Sequence, residues 1–126
     1  MTGVQTCALP IFELVVAIGP GGAIFGYAVG LDMTRRDLQN AMKKQGRPWS
    51  IGKGFEQSAP IGPIVPIATS GELTRGAITL DVNGTRRQTG DLSDLIWNVR
   101  ETIEQLQSAW TLRAGDLIFK IGRAHV

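Results

Sequence analysis

The sequence predicts an α+β fold with more strand than helix. Three observations carry this. Glycine is frequent, 16 of 126 residues, and so many glycines call for many turns. Asn83-Gly84 sits between alternating residues, the pattern of a two-residue β-hairpin. Only two stretches, opening at Thr34 and at Asn98, combine a helix start signal with helical spacing. The length is that of one domain.

The elements follow in order. FELVVAI (residues 12–18) reads as a buried strand, and AIFGYAVGLD (residues 23–32) as a second. Thr34 with Asp37 makes a capping box in TRRD. Leu38, Ala41 and Met42 then line one helical face, and Gly46 with Pro48 ends the run. Residues 46–63 form a long Gly/Pro-rich loop, and loops of that length inside a domain tend to carry function. IVPIA (residues 64–68) reads as an edge strand because of its proline. AITLDVNGTRRQT (residues 77–89) is the hairpin. Asn98 with Glu101 makes a second capping box, before a stripe of Val99, Ile103, Leu106 and Trp110. GDLIF (residues 115–119) is the last strand. Trp49, Trp97 and Trp110 read as packing residues, and none alternates with basic residues as nucleic-acid binding needs.

Charge and hydropathy exclude several classes. The net charge of +2 is spread without a basic run, which argues against nucleic acid. Residues 14–31 are uncharged and near the length of a membrane span. Gly19-Pro20-Gly21-Gly22 would break a helix there, so two strands and a turn fit better. No Lys or Arg precedes the run, against a signal peptide. A lone cysteine forms no internal disulfide and suits a reducing, cytoplasmic setting.

The two ends lack these patterns. MTGVQTCALPI and IGRAHV both back-translate to adapter DNA of the kind used in short-read sequencing, the second as the reverse complement of the end of the first. Residues 1–11 and 121–126 are therefore expected to be non-native, with a partial catalytic core at 12–120 and Lys120 at its margin. Cys7 and His125 fall in those ends. The core then has neither residue type, which excludes Cys–His and Ser–His–Asp catalysis and argues against zinc. Carboxylates are left as the metal donors, and they suit Mg²⁺ or Mn²⁺.

Few residues in the core could carry chemistry. Lys53 lies between two glycines in GKG, where backbone can approach a ligand or where a lysine is simply solvated. The spacing is wrong for a phosphate-binding loop, and Gly54 stands where that motif needs Ser or Thr. Gly19–Gly22 could be an anion nest, and a plain turn explains it as well. Asp32 ends a strand, and Arg36 and Gln39 share a face of the following helix. These three could converge at a strand–helix junction, or Asp32 could cap and Arg36 be solvated. Glu13, a charge at a strand start, reads on spacing alone as an exposed edge residue.

GYAVGLDMTRRDLQ, KKQGRPWSIGKGFEQSAPIGP, VNGTRRQTGDLSDLIW and TLRAGDLIF, in this order, resemble the fumarylacetoacetate hydrolase family, nearest to its fumarylpyruvate and acylpyruvate hydrolase branch. The resemblance runs through essentially all of residues 12–119. It implies a mixed, mostly β roll of the family's C-terminal type with short helices, here incomplete. It further implies a divalent metal, Mg²⁺ or Mn²⁺, on three carboxylates. Glu13 matches the second Glu of a Glu-x-Glu, and Asp32 matches the third ligand. Ile11 stands where the first Glu is expected. Lys53 matches the family's catalytic and substrate-binding lysine, and Arg36 and Gln39 match its substrate-holding pair. The family continues past GDLIF into a loop that closes over substrate, and it carries a water-activating His and Glu upstream. The link from Gly19 to Gly26 is shorter than the family's by about ten residues, where a crossover helix is expected.

The resemblance thus implies hydrolysis of a carbon–carbon bond in fumarylpyruvate or a related acylpyruvate, giving pyruvate and a carboxylic acid. A cytoplasmic homodimeric parent acting on a small 2-oxo acid is expected, with no nucleic-acid or membrane partner. The 126-residue chain itself is expected to be poorly active. Oxaloacetate decarboxylation, or a hydratase or isomerase reaction on the same site, stays open. So does a non-catalytic dimerisation or binding module.

Overall fold

The computed structural model describes residues 11–120. The expectations about the adapter-like ends, with Cys7 and His125, lie outside the described residues, except that Ile11 opens the first strand. The chain folds as two compact units.

The larger unit takes Phe12–Gly30 and the chain from Ile61 onward. Its main sheet has strand order β3-β2-β1-β6. β1 (Ile11–Ile18) is interior and buried along nearly its whole length. Val15 and Val16, on opposite faces, are at most 1% exposed. Burial of each stabilises the fold by about 1.5–3 kcal/mol. Glu13 is only 3% exposed, not an exposed edge residue. From Phe12 on, β1 is buried on both of its faces, Glu13 included.

β1 passes into β2 (Ile24–Asp32) through a turn at Pro20–Gly22, closed by the Gly19 N–H donating to the Ala23 carbonyl at 2.7 Å. The join is a tight turn between neighbouring strands, not a crossover helix. β3 (Val65–Pro66) pairs antiparallel with β2, Tyr27 opposite Val65. It is the expected edge strand but shorter, because Pro66 has no N–H to extend a ladder and the chain turns at once into α3 (Ile67–Ser70).

β4 (Ala77–Val82) and β5 (Thr85–Asp91) form a separate two-stranded sheet. Asn83 and Gly84 both have positive φ, 51° and 78°, as the predicted hairpin turn demands. Asp91 then caps a short 3-10 turn, its carboxylate accepting the Ser93 N–H at 2.9 Å.

α4 (Val99–Gln107) begins at the predicted capping box: the Asn98 side-chain oxygen accepts the Glu101 N–H at 2.8 Å. Val99 and Ile103 pack with Leu14, Val16, Ile18 and Tyr27 as the core. Trp110 does not extend this stripe. The helix ends at Gln107, three residues short of it, and Trp110 is 65% exposed. Trp49 and Trp97 are also about half exposed, so none of the three tryptophans is a buried packing residue. β6 (Leu117–Lys120) pairs antiparallel with β1, Leu14 opposite Lys120.

The smaller unit, over its described residues, is Leu31–Pro60 with Ile11. It holds the last two residues of β2, then α1 (Arg36–Lys44) and α2 (Ser50–Lys53). The chain leaves α1 with the Gly46 N–H on the Lys43 carbonyl and the Arg47 N–H on the Met42 carbonyl, a Schellman ending. The Thr34–Asp37 capping box does not form. Arg35 occupies the cap position, and no side chain bonds the first turn. α2 also interrupts the stretch expected as open loop. Among the described residues no helix is long and apolar enough to cross a membrane.

Candidate active site

The smaller unit gathers most of the singled-out residues. Asp32 is the last residue of β2, and side chains two apart on an extended chain share a side, so Thr34 follows it on the same side. Two hydrogen bonds hold this stretch, Leu31 N–H to the Pro60 carbonyl at 3.0 Å and Met33 N–H to the Ser58 carbonyl at 2.9 Å. The Arg35 N–H then donates to the Gly52 carbonyl at 2.8 Å, which joins the start of α1 to α2. Gly52 is buried, and a Cβ there would lie 3.1 Å from the Gln39 nitrogen and 3.2 Å from the Arg35 carbonyl oxygen. Only a residue without a side chain lets α2 sit this close.

That contact brings Lys53, the next residue, back to the end of β2. Its ammonium donates to an Asp32 carboxylate oxygen and to the Thr34 hydroxyl, each at 2.7 Å. Thr34 is 1% exposed, whereas the Lys53 and Asp32 side chains are 36% and 25% exposed. The charged pair therefore meets solvent while its neutral partner is sealed. Two of the three ammonium hydrogens are used, and one is left to give.

On α1, Arg36 donates from its guanidinium to the Gln39 side-chain oxygen at 2.8 Å. Gln39 is the buried residue of that helix, at 4% exposure, and Arg36 is exposed. With its oxygen turned to Arg36, the Gln39 amide has its two N–H donors on the other side. Lys43 lies over the Trp49 ring, 4.6 Å from its centroid, which accounts for that tryptophan's place on the surface.

Of the residues singled out in the sequence, Asp32 and Lys53 are joined, and Arg36 and Gln39 are joined. Glu13 belongs to the larger unit. Thr34 was assigned to a helix cap, and its role toward Lys53 was missed. The signal was present in the Asp-x-Thr spacing at a strand end. Glu13 and Asp32 are hard oxygen donors, the chemistry Mg²⁺ or Mn²⁺ requires. Among the described residues no three His, Cys, Asp or Glu gather as a metal cluster. Each of the two is thus a donor of the right kind for such an ion.

Comparison with known proteins decides the family. The model of the fumarylacetoacetate (FAA) hydrolase C-terminal family matches residues 21–120. The chain belongs to the fumarylacetoacetate hydrolase family. A fumarylpyruvate hydrolase of a Ralstonia species is 45% identical over 117 residues, covering 85% of this chain and 60% of the relative. An oxaloacetate tautomerase of Escherichia coli K12 is 40% identical over 97 residues, covering 76% and 44%. Among solved structures, fumarylpyruvate hydrolase from Pseudomonas aeruginosa in complex with Mn²⁺ and pyruvate superposes with a TM-score of 0.81 at 50% identity, covering 87% of this chain and 52% of that one. The chain thus spans about half the length of the fumarylacetoacetate hydrolase family relatives it matches. The fold is that of the family, a mixed α+β arrangement of sheets and short helices.

Proposed function

We propose that this chain is a fragment of a metal-dependent hydrolase that cleaves a carbon–carbon bond in fumarylpyruvate or a related acylpyruvate. The observation that carries the reading is the Lys53 ammonium anchored on Asp32 and Thr34, in a chain 50% identical to a fumarylpyruvate hydrolase solved with Mn²⁺ and pyruvate. Glu13 and Asp32 would hold the divalent cation. The assignment is supported by their match to the family's carboxylate motifs and by their donor chemistry. When bound, such an ion supplies Lewis-acid polarisation of the 2-oxo acid end of the substrate.

The chain's own residues are assigned to holding the substrate and meeting the charge that develops on it. Arg36 pairs with the substrate carboxylate as a planar two-pronged donor. Gln39, its oxygen held by Arg36, gives an N–H to the same group. Lys53 directs its remaining N–H to the oxygen on which negative charge develops, a contact worth on the order of a hundredfold or more in rate. Water adds to the distal carbonyl carbon, the bond from that carbon to the adjoining methylene breaks, and a proton is delivered to the methylene carbon. The products are pyruvate and a carboxylic acid. The small 2-oxo acid is the partner in this reading, and a cytoplasmic homodimer is the setting proposed for the parent.

The second reading is enol–keto interconversion of oxaloacetate on the same residues, favoured by the 40% identity to an oxaloacetate tautomerase. One experiment separates the two. Fumarylpyruvate and oxaloacetate are supplied in turn with Mn²⁺, and pyruvate and enol absorbance are followed. Fumarate and pyruvate formed in equal amounts support the hydrolase. Oxaloacetate enol decay without cleavage of fumarylpyruvate supports the tautomerase. A chain that binds no Mn²⁺ under any condition overturns both.

A further inference from the structure

One long-range hydrogen bond lies outside the chemistry above. The Phe12 N–H, at the start of β1, donates to the side-chain oxygen of Gln88 at 2.9 Å. The bond is buried and spans 76 residues of sequence. Gln88 is 7% exposed, and it comes from the hairpin, which forms its own sheet.

The hairpin is built to aim this residue. Its pairing runs evenly from Ala77 opposite Asp91 to Leu80 opposite Gln88. Asp81 then faces Arg86, so β5 carries one extra residue between Arg86 and Gln88. Such a bulge bends the strand and redirects the side chains beside it. Burial changes at that point: Thr85, Arg86 and Arg87 are exposed, and Gln88 is buried.

The other end of the bond needs a partner. Within the described residues the β6 ladder reaches back along β1 to Leu14. Phe12 is 1% exposed, and a buried backbone N–H without an acceptor is costly. Gln88 accepts from it. The next residue is Glu13, 3% exposed.

We propose that Gln88 is a positioning residue. It pins the start of β1 through the Phe12 N–H and so holds the Glu13 carboxylate in one place for a divalent cation. This rests on the reading of Glu13 as a metal ligand given above. Residues that orient ligands from behind typically change metal affinity by about 10–100-fold when altered.

The test uses Gln88→Leu, which removes the acceptor, Gln88→Asn, which withdraws it by one methylene, and Gln88→Glu, which keeps it. Phe12 amide hydrogen exchange is read by NMR and Mn²⁺ binding by electron paramagnetic resonance. In the Leu and Asn variants the Phe12 amide exchanges roughly tenfold faster or more while Val15 and Val16 keep their protection, and Mn²⁺ binds about tenfold more weakly. The Glu variant stays near the parent chain in exchange. Should the Leu variant not fold, the Asn variant carries the same expectation. Unchanged Phe12 exchange overturns the inference, and so does faster exchange with unchanged Mn²⁺ affinity. If the chain with Gln88 intact binds Mn²⁺ as tightly with Glu13→Gln as without it, the metal-ligand reading has failed. The inference falls with it, and that cause is recognisable because Gln88 was never altered.

Discussion

The Lys53 ammonium donates to the Asp32 carboxylate at 2.7 Å although 21 residues separate them in sequence. The pair is partly exposed, so its electrostatic contribution to stability is at most about 1 kcal/mol. Lys53→Met, however, also strands the sealed Thr34 hydroxyl, so it should cost about 1–3 kcal/mol in urea denaturation. Turnover of an acylpyruvate should fall on the order of a hundredfold or more. Undiminished turnover by the folded fraction of the variant would make Lys53 a purely structural residue.

Thr34 tests the same bond from its other end. Its hydroxyl is sealed and accepts from Lys53, so Thr34→Val removes an acceptor at a buried position with little change of shape. The expected cost is about 0.5–1.5 kcal/mol, the net worth of the bond, because the partly exposed Lys53 ammonium left behind can turn to water. Thr34→Ser keeps the oxygen and should lose less. Equal destabilisation by the two variants, in chemical denaturation, would show that the methyl group and not the hydroxyl matters.

Gly52→Ala places a methyl group 3.1 Å from the Gln39 nitrogen and 3.2 Å from the Arg35 carbonyl oxygen, both backbone atoms. Neither can swing away, so α2 must move. The expected cost is about 1–3 kcal/mol. Lys53 should move with α2, visible as a changed chemical shift of its side-chain nitrogen in a lysine-labelled sample. A variant as stable as the parent would mean that α2 shifts freely.

Asp91 gives a pH prediction. The Ser93 N–H, then the Ser93 hydroxyl and the Gly76 N–H, hold its carboxyl below the usual value of 3.8. A lowered folded value favours the native state above 3.8, and that contribution fades as pH falls through the lower folded value. Asp91→Asn removes this linkage. Its urea midpoint should decline less steeply than the parent's as the pH is taken below 4, reaching the parent's curve at the acid end. Parallel curves for the two proteins would rule the linkage out.

Local signals were legible in the sequence wherever short-range chemistry decides the outcome. The Asn83-Gly84 turn, the Asn98 cap and the apolar run of β1 after Glu13 all took the form their residues dictate. Thr34 was misread because a cap and a lysine acceptor call for the same hydroxyl, and only the approach of Gly52 decides between them. Glu13 was misread because what covers a sheet face is not a local property. A charge at a strand start is exposed or covered according to what packs on that face of the sheet, and β1 is buried on both faces. Trp110 fits the helical period, but the helix stops first. The Arg36–Gln39 pair was expected from helical spacing, and the partner of Lys53, 21 residues away, was not readable from spacing at all.

The Arg36–Gln39 bond also settles which way round a buried amide stands. A free glutamine is ambidextrous, able to greet donors and acceptors alike. With its oxygen turned to Arg36, Gln39 carries its NH₂ on the other side, and that side can only donate. In the proposed role, a carboxylate arriving there would find donors for its oxygens, whereas the NH₂ half of a carboxamide would find none to accept it.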